Sequence, residues 1–117
     1  MRPSYKNVTK EAVQTFAGTA RADRLLIALE NLKRHENDAL TSINQMYEEN
    51  VMIKKSRNNP AIDHKFDKFV ITNNEKLICS ARADMEKMDL CRAIIKKELR
   101  KREMKCRKEI RSEQPKF

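Results

Sequence analysis

The side chains able to transfer protons, attack an electrophile or ligate a metal are few in this chain and far apart. Two histidines, His35 and His64, and three cysteines, Cys79, Cys91 and Cys106, are all the imidazoles and thiols among 117 residues. The cysteines form no C-x-x-C pair, and the histidines sit well upstream of them. A structural zinc site needs four such ligands in short-range pairs, so metal binding is not expected. The thiols read instead as reduced, small apolar residues on a helix. Asp63 and His64 adjoin each other, which fits a helix cap beside a surface histidine better than a catalytic pair. No carboxylates cluster in an apolar setting and no Ser/His/Asp arrangement stands out, leaving no constellation for general acid–base or nucleophilic work. The single glycine, Gly18, also excludes a Gly-rich phosphate loop and a nucleophile elbow. The expectation is a non-enzymatic protein with no cofactor.

The chemistry that the chain does concentrate is positive charge. The formal net charge is +9. Residues 92–111 alone carry ten basic and three acidic residues, a net of +7. The basic residues are Arg92, Lys96, Lys97, Arg100, Lys101, Lys105, Arg107, Lys108 and Arg111, with Arg102 among them; Glu98, Glu103 and Glu109 oppose them. At about 100° per residue, Ile95, Leu99, Cys106 and Ile110 share one arc and most of the cations take the broad opposite side. One face packs and the other is available to dock. No aromatic interleaves the cations to stack on bases, and residues 92–111 contain no Asn or Gln to read adenine. The apolar side is too thin in Trp, Phe and Leu for a membrane-surface helix. A protein partner with an acidic surface is the leading expectation, with nucleic acid as runner-up through the same face and no membrane partner.

The elements that must position this face are helical. Charged residues make up 37% of the chain and aromatics 5%, so a large self-sufficient core is excluded. From Leu25 the residues Leu25, Leu29, Leu32, Glu36, Ala39, Ile43, Met46, Asn50 and Ile53 follow a 4,3 spacing throughout, the heptad signature of a helix that pairs with another. Leu26, Leu40 and Tyr47 widen the stripe. Glu36 and Asn50 either specify register or mark where the seam turns to water. A second stripe reads Leu77, Ala81, Met85, Met88, Cys91, Ile95, Leu99, Cys106 and Ile110, one helical face that drifts from a strict heptad. Between them, Phe66 and Phe69 at i, i+3 suggest a short helix that plugs one end of the pair or anchors to a partner. Thr72 and Glu75 form a T-x-x-E capping box, placing the second start at Asn73.

The organisation is all-α: an arm over 1–18 with a short helix from Thr9, stopped by Gly18, in which Tyr5 and Phe16 are candidate anchors; a long helix over 19–57 that Thr19 can cap; a Phe-rich connector over 58–72; a long basic helix over 73–111; and a tail over 112–117. Two long amphipathic helices joined through the polar Asn58–Asn59–Pro60 turn suggest an antiparallel helical hairpin, with extended helices on a large partner as the rival arrangement. The wide apolar faces imply a third covering surface: the arm, a second copy or another protein. No apolar run resembles a secretory leader or spans a bilayer, so the expected location is cytoplasmic, with the nucleus as alternative.

Tyr5 and Phe16 in the arm, the Glu98-Leu99 and Glu109-Ile110 pairs, and the closing Pro115-Lys116-Phe117 give a layout similar to the small helical proteins bound inside ciliary doublet microtubules, the cilia- and flagella-associated type. The resemblance implies a structural role in the axoneme, docking on tubulin and on neighbouring filament proteins. A coiled-coil adaptor subunit that self-associates through the Leu25–Ile53 seam shares most of these features. That last reading predicts helicity rising with protein concentration by circular dichroism; a well-folded monomer at every concentration removes it.

Overall fold

The described residues form three helices: α1 over Lys10–Thr19, α2 over Ala22–Lys55 and α3 over Asp67–Glu113. The computed structural model describes residues 5–113, with side chains as far as residue 107. α1 starts where the sequence signals it, with the Thr9 hydroxyl accepting from the Ala12 amide at 3.1 Å. Gly18 does not stop it. The helix runs through Gly18 and closes when Ala20 turns extended. Thr19 donates its hydroxyl to the Thr15 carbonyl at 2.7 Å, so it does not cap α2; Arg21 holds that position without a side-chain bond. α2, at 34 residues, is about 50 Å long, and it ends with the Ser56 hydroxyl donating to the Met52 carbonyl and with Lys54 and Lys55 at the negative pole of the helix.

The turn that follows is held by local side chains. Asn59 Oδ1 accepts from the Ala61 amide and Asp63 Oδ1 from the Lys65 amide. His64 donates to the Asn59 carbonyl and to Asp67 Oδ2 at 2.8 and 2.7 Å. Two acceptors favour the imidazolium, and the Asn59 carbonyl followed by the Asp67 carboxylate raises the His64 pKa above its ordinary 6.5. This contribution to the turn is therefore complete below pH 6.5 and lost as pH rises through the raised value. With Asp67 held at the helix N-terminus, α3 begins there, six residues before the expected start. The Thr72–Glu75 box lies inside a continuous helix of 47 residues, about 70 Å long. The Phe-rich segment forms no plug: Phe66, just before α3, and Phe69, in its first turn, are 62% and 70% exposed.

α2 and α3 form an antiparallel hairpin, and its seam corrects the sequence reading of α3. Asn74, Ile78, Ala81, Met85, Met88, Arg92, Ile95, Leu99 and Arg102 follow an unbroken 4,3 spacing, and the apolar members are buried or half-buried. Leu77, taken as a seam residue, is 45% exposed, whereas its neighbour Ile78 is 4% exposed. Leu25, Leu32 and Ile43 are buried as expected, and Leu29, Met46 and Ile53 are half-covered. Leu25 and Met88 are fully buried, each contributing about 2 kcal/mol by area removed from water. Ala39 and Ala81, also fully buried, keep the waist narrow. The result is a rod with extents of 87 × 27 × 17 Å.

The two polar residues of the α2 seam meet two of the three polar residues of the α3 seam. Asn74 Nδ2 donates to Asn50 Oδ1 at 2.9 Å and to Glu49 Oε1 at 2.8 Å, and both asparagines are buried. Glu36 bonds the Arg92 guanidinium, which also donates to Asp89 at 2.8 Å. Glu36 and Asn50 are therefore both satisfied across the hairpin in this alignment, as residues that specify register must be. Replacing Asn74 with Leu strands the Asn50 amide and should cost about 1–3 kcal/mol in a denaturant melt. The double change Asn50→Leu with Asn74→Leu should recover at least the original stability while yielding mixed oligomers by sedimentation; a clean single species would show that the pair does not set register.

Candidate functional site

The seam register decides which cations of α3 reach solvent. Arg92, expected on the docking face, lies in the seam, about one-quarter exposed and paired with Glu36 and Asp89. Its position is one heptad before Leu99 and two after Ile78, so it faces α2. Arg102 occupies the same seam further along. It donates to Glu98 Oε1 at 3.1 Å and to the Ala17 carbonyl at 2.9 Å, where a cation caps the last turn of α1. Arg107 is exposed but pairs with Glu103 at 2.7 Å. Glu98 and Glu103 thus each hold an arginine one turn along, and among the described residues neither pairs with the rest of the face.

Lys96, Lys97, Arg100, Lys101 and Lys105 remain, all exposed and none in an ion pair among the described residues. They spread over about 14 Å of helix. Met104, 62% exposed, lies between Arg100, Lys101 and Lys105 in a shallow depression they share. The side chains of Lys108 and Arg111, and that of Ile110, lie outside the described residues, as does Pro115-Lys116-Phe117. Cys106, level with the first residues of α2, is exposed.

The arm packs on α3 and on the side of α2 that carries Ala28 and His35. Val13 and Ala17 enter one apolar cluster with Leu25, Leu32, Met88, Cys91 and Ile95, and Tyr5 and Val8 cover it. Polar latches surround this contact. The Tyr5 hydroxyl bonds His35 Nδ1 at 2.6 Å with the two rings edge to face, and the Tyr5 amide donates to Asp84 Oδ1 at 3.3 Å. Lys87 Nζ donates to the Lys6 and Val8 carbonyls at 2.9 and 3.0 Å. Burial, and then the nearby Cys91 and Asp84, push the Tyr5 phenol pKa up, so it stays a neutral hydrogen-bonding group. Tyr5 is consequently an internal anchor. Phe16, two-fifths exposed, borders an apolar groove of about 450 Å³ between α1 and α2.

Sequence reasoning did not pick out Asp84, Lys87 or Arg102 as arm latches. One signal was present: Asp84, Cys91 and Glu98 recur every seven residues beside the seam, a polar–small–polar strip where an apolar flank would otherwise be expected. Tyr47 on the opposite flank bonds Arg82 and lies under its guanidinium, 5.5 Å from the ring centre. That flank also leaves Leu26, Leu40 and Val51 substantially exposed. Thus the arm covers only one of the two hairpin faces.

The two histidines are occupied far apart, His35 by Tyr5 and His64 by Asp67. No group of three or more His, Cys, Asp or Glu is arranged to hold a metal ion among the described residues. No described helix is long and apolar enough to cross a membrane. No protein-family model, curated protein or solved structure matches the chain.

Cys91 reports on the arm. It is buried beneath Tyr5 and Val13, and desolvation raises its thiol pKa, whereas Cys79 and Cys106 are exposed. Iodoacetamide should alkylate Cys79 and Cys106 rapidly and spare Cys91. Removing residues 1–20 should bring Cys91 to a rate within about threefold of the other two, read by mass spectrometry, by exposing a thiol that burial holds protonated. Equal protection with and without the arm would refute its docking.

Proposed function

We propose that this is a non-enzymatic structural protein that presents a preformed basic helix to an acidic protein lattice, with the microtubule of the axoneme as its setting. One observation carries the reading. Lys96, Lys97, Arg100, Lys101 and Lys105 project from a helix whose opposite side is committed to the hairpin, and none of them forms an ion pair among the described residues. Ordering a docking element in advance removes much of the entropic cost of binding, and a strip of like charge steers encounter with an oppositely charged surface. The resemblance in layout to ciliary inner-microtubule proteins favours tubulin, with neighbouring filament proteins as further contacts. It is weaker in the arm, where Tyr5 is spent on His35.

A second reading, an adaptor that self-associates, is favoured by the exposed Leu26, Leu40, Tyr47 and Val51 on the uncovered hairpin face. It is compatible with docking through α3, because the two surfaces do not overlap.

Reversing Lys97, Arg100, Lys101 and Lys105 to Glu should abolish co-sedimentation with microtubules at physiological salt while circular dichroism retains its helix content, because every position is solvent-facing. Gel shifts with DNA and RNA run alongside decide the partner class. Nucleic-acid binding without microtubule binding would overturn the reading.

A further inference from the structure

The arm does more than cover a core: it brings a lysine from the start of the chain to the basic helix. Lys10 and Gln14 in α1 face Lys97 and Lys101 in α3 across a groove of about 340 Å³, floored by Ala17 and Ile94. Nothing in sequence spacing joins Lys10 to residues nearly ninety positions later. The three lysines are exposed, and none forms an ion pair among the described residues. The remaining wall residue, Glu98, is engaged by Arg102, whose guanidinium also holds the Ala17 carbonyl. Its charge is answered within the wall, leaving the groove strongly cationic.

We infer that the groove between α1 and α3 is a binding site for an extended acidic peptide segment, with carboxylates on Lys10, Lys97 and Lys101 and an aliphatic side chain against Ala17 and Ile94. This deepens the proposed docking function and rests on it. Three ammonium groups on two walls suit carboxylates spaced along one strand of peptide. Gln14 adds an amide that can donate to, or accept from, the peptide backbone. A nucleic-acid strand fits less well, because the floor is aliphatic and no aromatic lines the groove for base stacking. The hydrogen bonds from Lys87 to the Lys6 and Val8 carbonyls, and from Arg102 to the Ala17 carbonyl, fix both walls before the ligand arrives.

The test is fluorescence anisotropy with a labelled oligoglutamate peptide and the full-length protein, using oligoglutamine and oligouridylate of similar length for comparison. Lys10→Glu is the informative variant. It places an acid in the first turn of α1, where the helix dipole favours it, so α1 should still form, and unchanged Cys91 protection confirms that the arm is docked. Lys76→Glu is the matched control, about 30 Å away along α3 and beyond several Debye lengths. Lys10→Glu should weaken oligoglutamate binding about tenfold, equivalent to about 1.4 kcal/mol, while Lys76→Glu changes it less than about twofold.

Equal weakening by the two variants would reduce the groove to a diffuse field and overturn the site. Tighter binding of oligouridylate than of oligoglutamate would overturn the peptide assignment. Microtubule co-sedimentation separates this from the broader reading. If wild-type protein binds oligoglutamate through Lys10 but does not bind microtubules, the groove stands and the axonemal setting falls. If Lys10→Glu leaves oligoglutamate binding intact while charge reversal at Arg100 and Lys105 removes microtubule binding, the groove falls and the docking strip stands.

Discussion

Two polar contacts inside an apolar seam, Glu36 with Arg92 and Asn50 with Asn74, hold the alignment on which the other features depend. Apolar heptads alone are degenerate. Sliding one helix by seven residues still sets Leu, Ile, Met and Ala against one another. The same slide sets Arg92 against Leu29 or Ile43 and separates the asparagines, leaving polar groups without partners in a seam that excludes most water. Burying an unanswered charge or amide is far costlier than exchanging one aliphatic neighbour for another. The polar pairs therefore select one alignment, and the aliphatic residues supply the stabilisation that makes it persist.

That alignment determines the length of the free end and the identity of the free cations. With Glu36 opposite Arg92, the start of α2 at Ala22 comes level with about Cys106, and α3 continues to Glu113 beyond the end of α2. Arg92 and Arg102 fall in the seam; Lys96, Lys97, Arg100, Lys101 and Lys105 fall outside it. The same register turns Asp84, Cys91 and Glu98 toward the flank that the arm covers. Ala17 then arrives beside Arg102, and α1 ends on a guanidinium already positioned by Glu98. Hairpin, arm and basic strip are thus successive consequences of one choice of register.

The α2 seam was legible because seven of its nine positions are aliphatic and the two exceptions sit at heptad spacing. The α3 seam was harder to read. Asn74, Arg92 and Arg102 hold seam positions while Leu77 and Cys91 lie just beside it, so a stripe drawn through the most apolar residues wanders off the true line. Hydropathy cannot recognise an arginine as a seam residue unless its carboxylate partner is known, and Glu36 is on another helix. The early start of α3 escaped notice for a related reason. A capping box is a local preference, whereas the His64–Asp67 contact and the bond from His64 to Asn59 fold the turn directly into the helix. The Phe66 and Phe69 pair shows the opposite failure: large aromatics suggested a buried plug, yet both are exposed.

Sequence alone determined that the protein is helical, that its long elements pair through one stripe each, and that positive charge is concentrated toward residue 111. Composition, periodicity and charge are properties of local order, and they survive any arrangement of the helices. Tertiary structure decided which cations are structural and which are available, that Tyr5 anchors the arm internally, and that Lys10 lies beside Lys97 and Lys101. These depend on contacts between residues thirty to ninety positions apart, and only the register set by Glu36–Arg92 and Asn50–Asn74 brings such residues together.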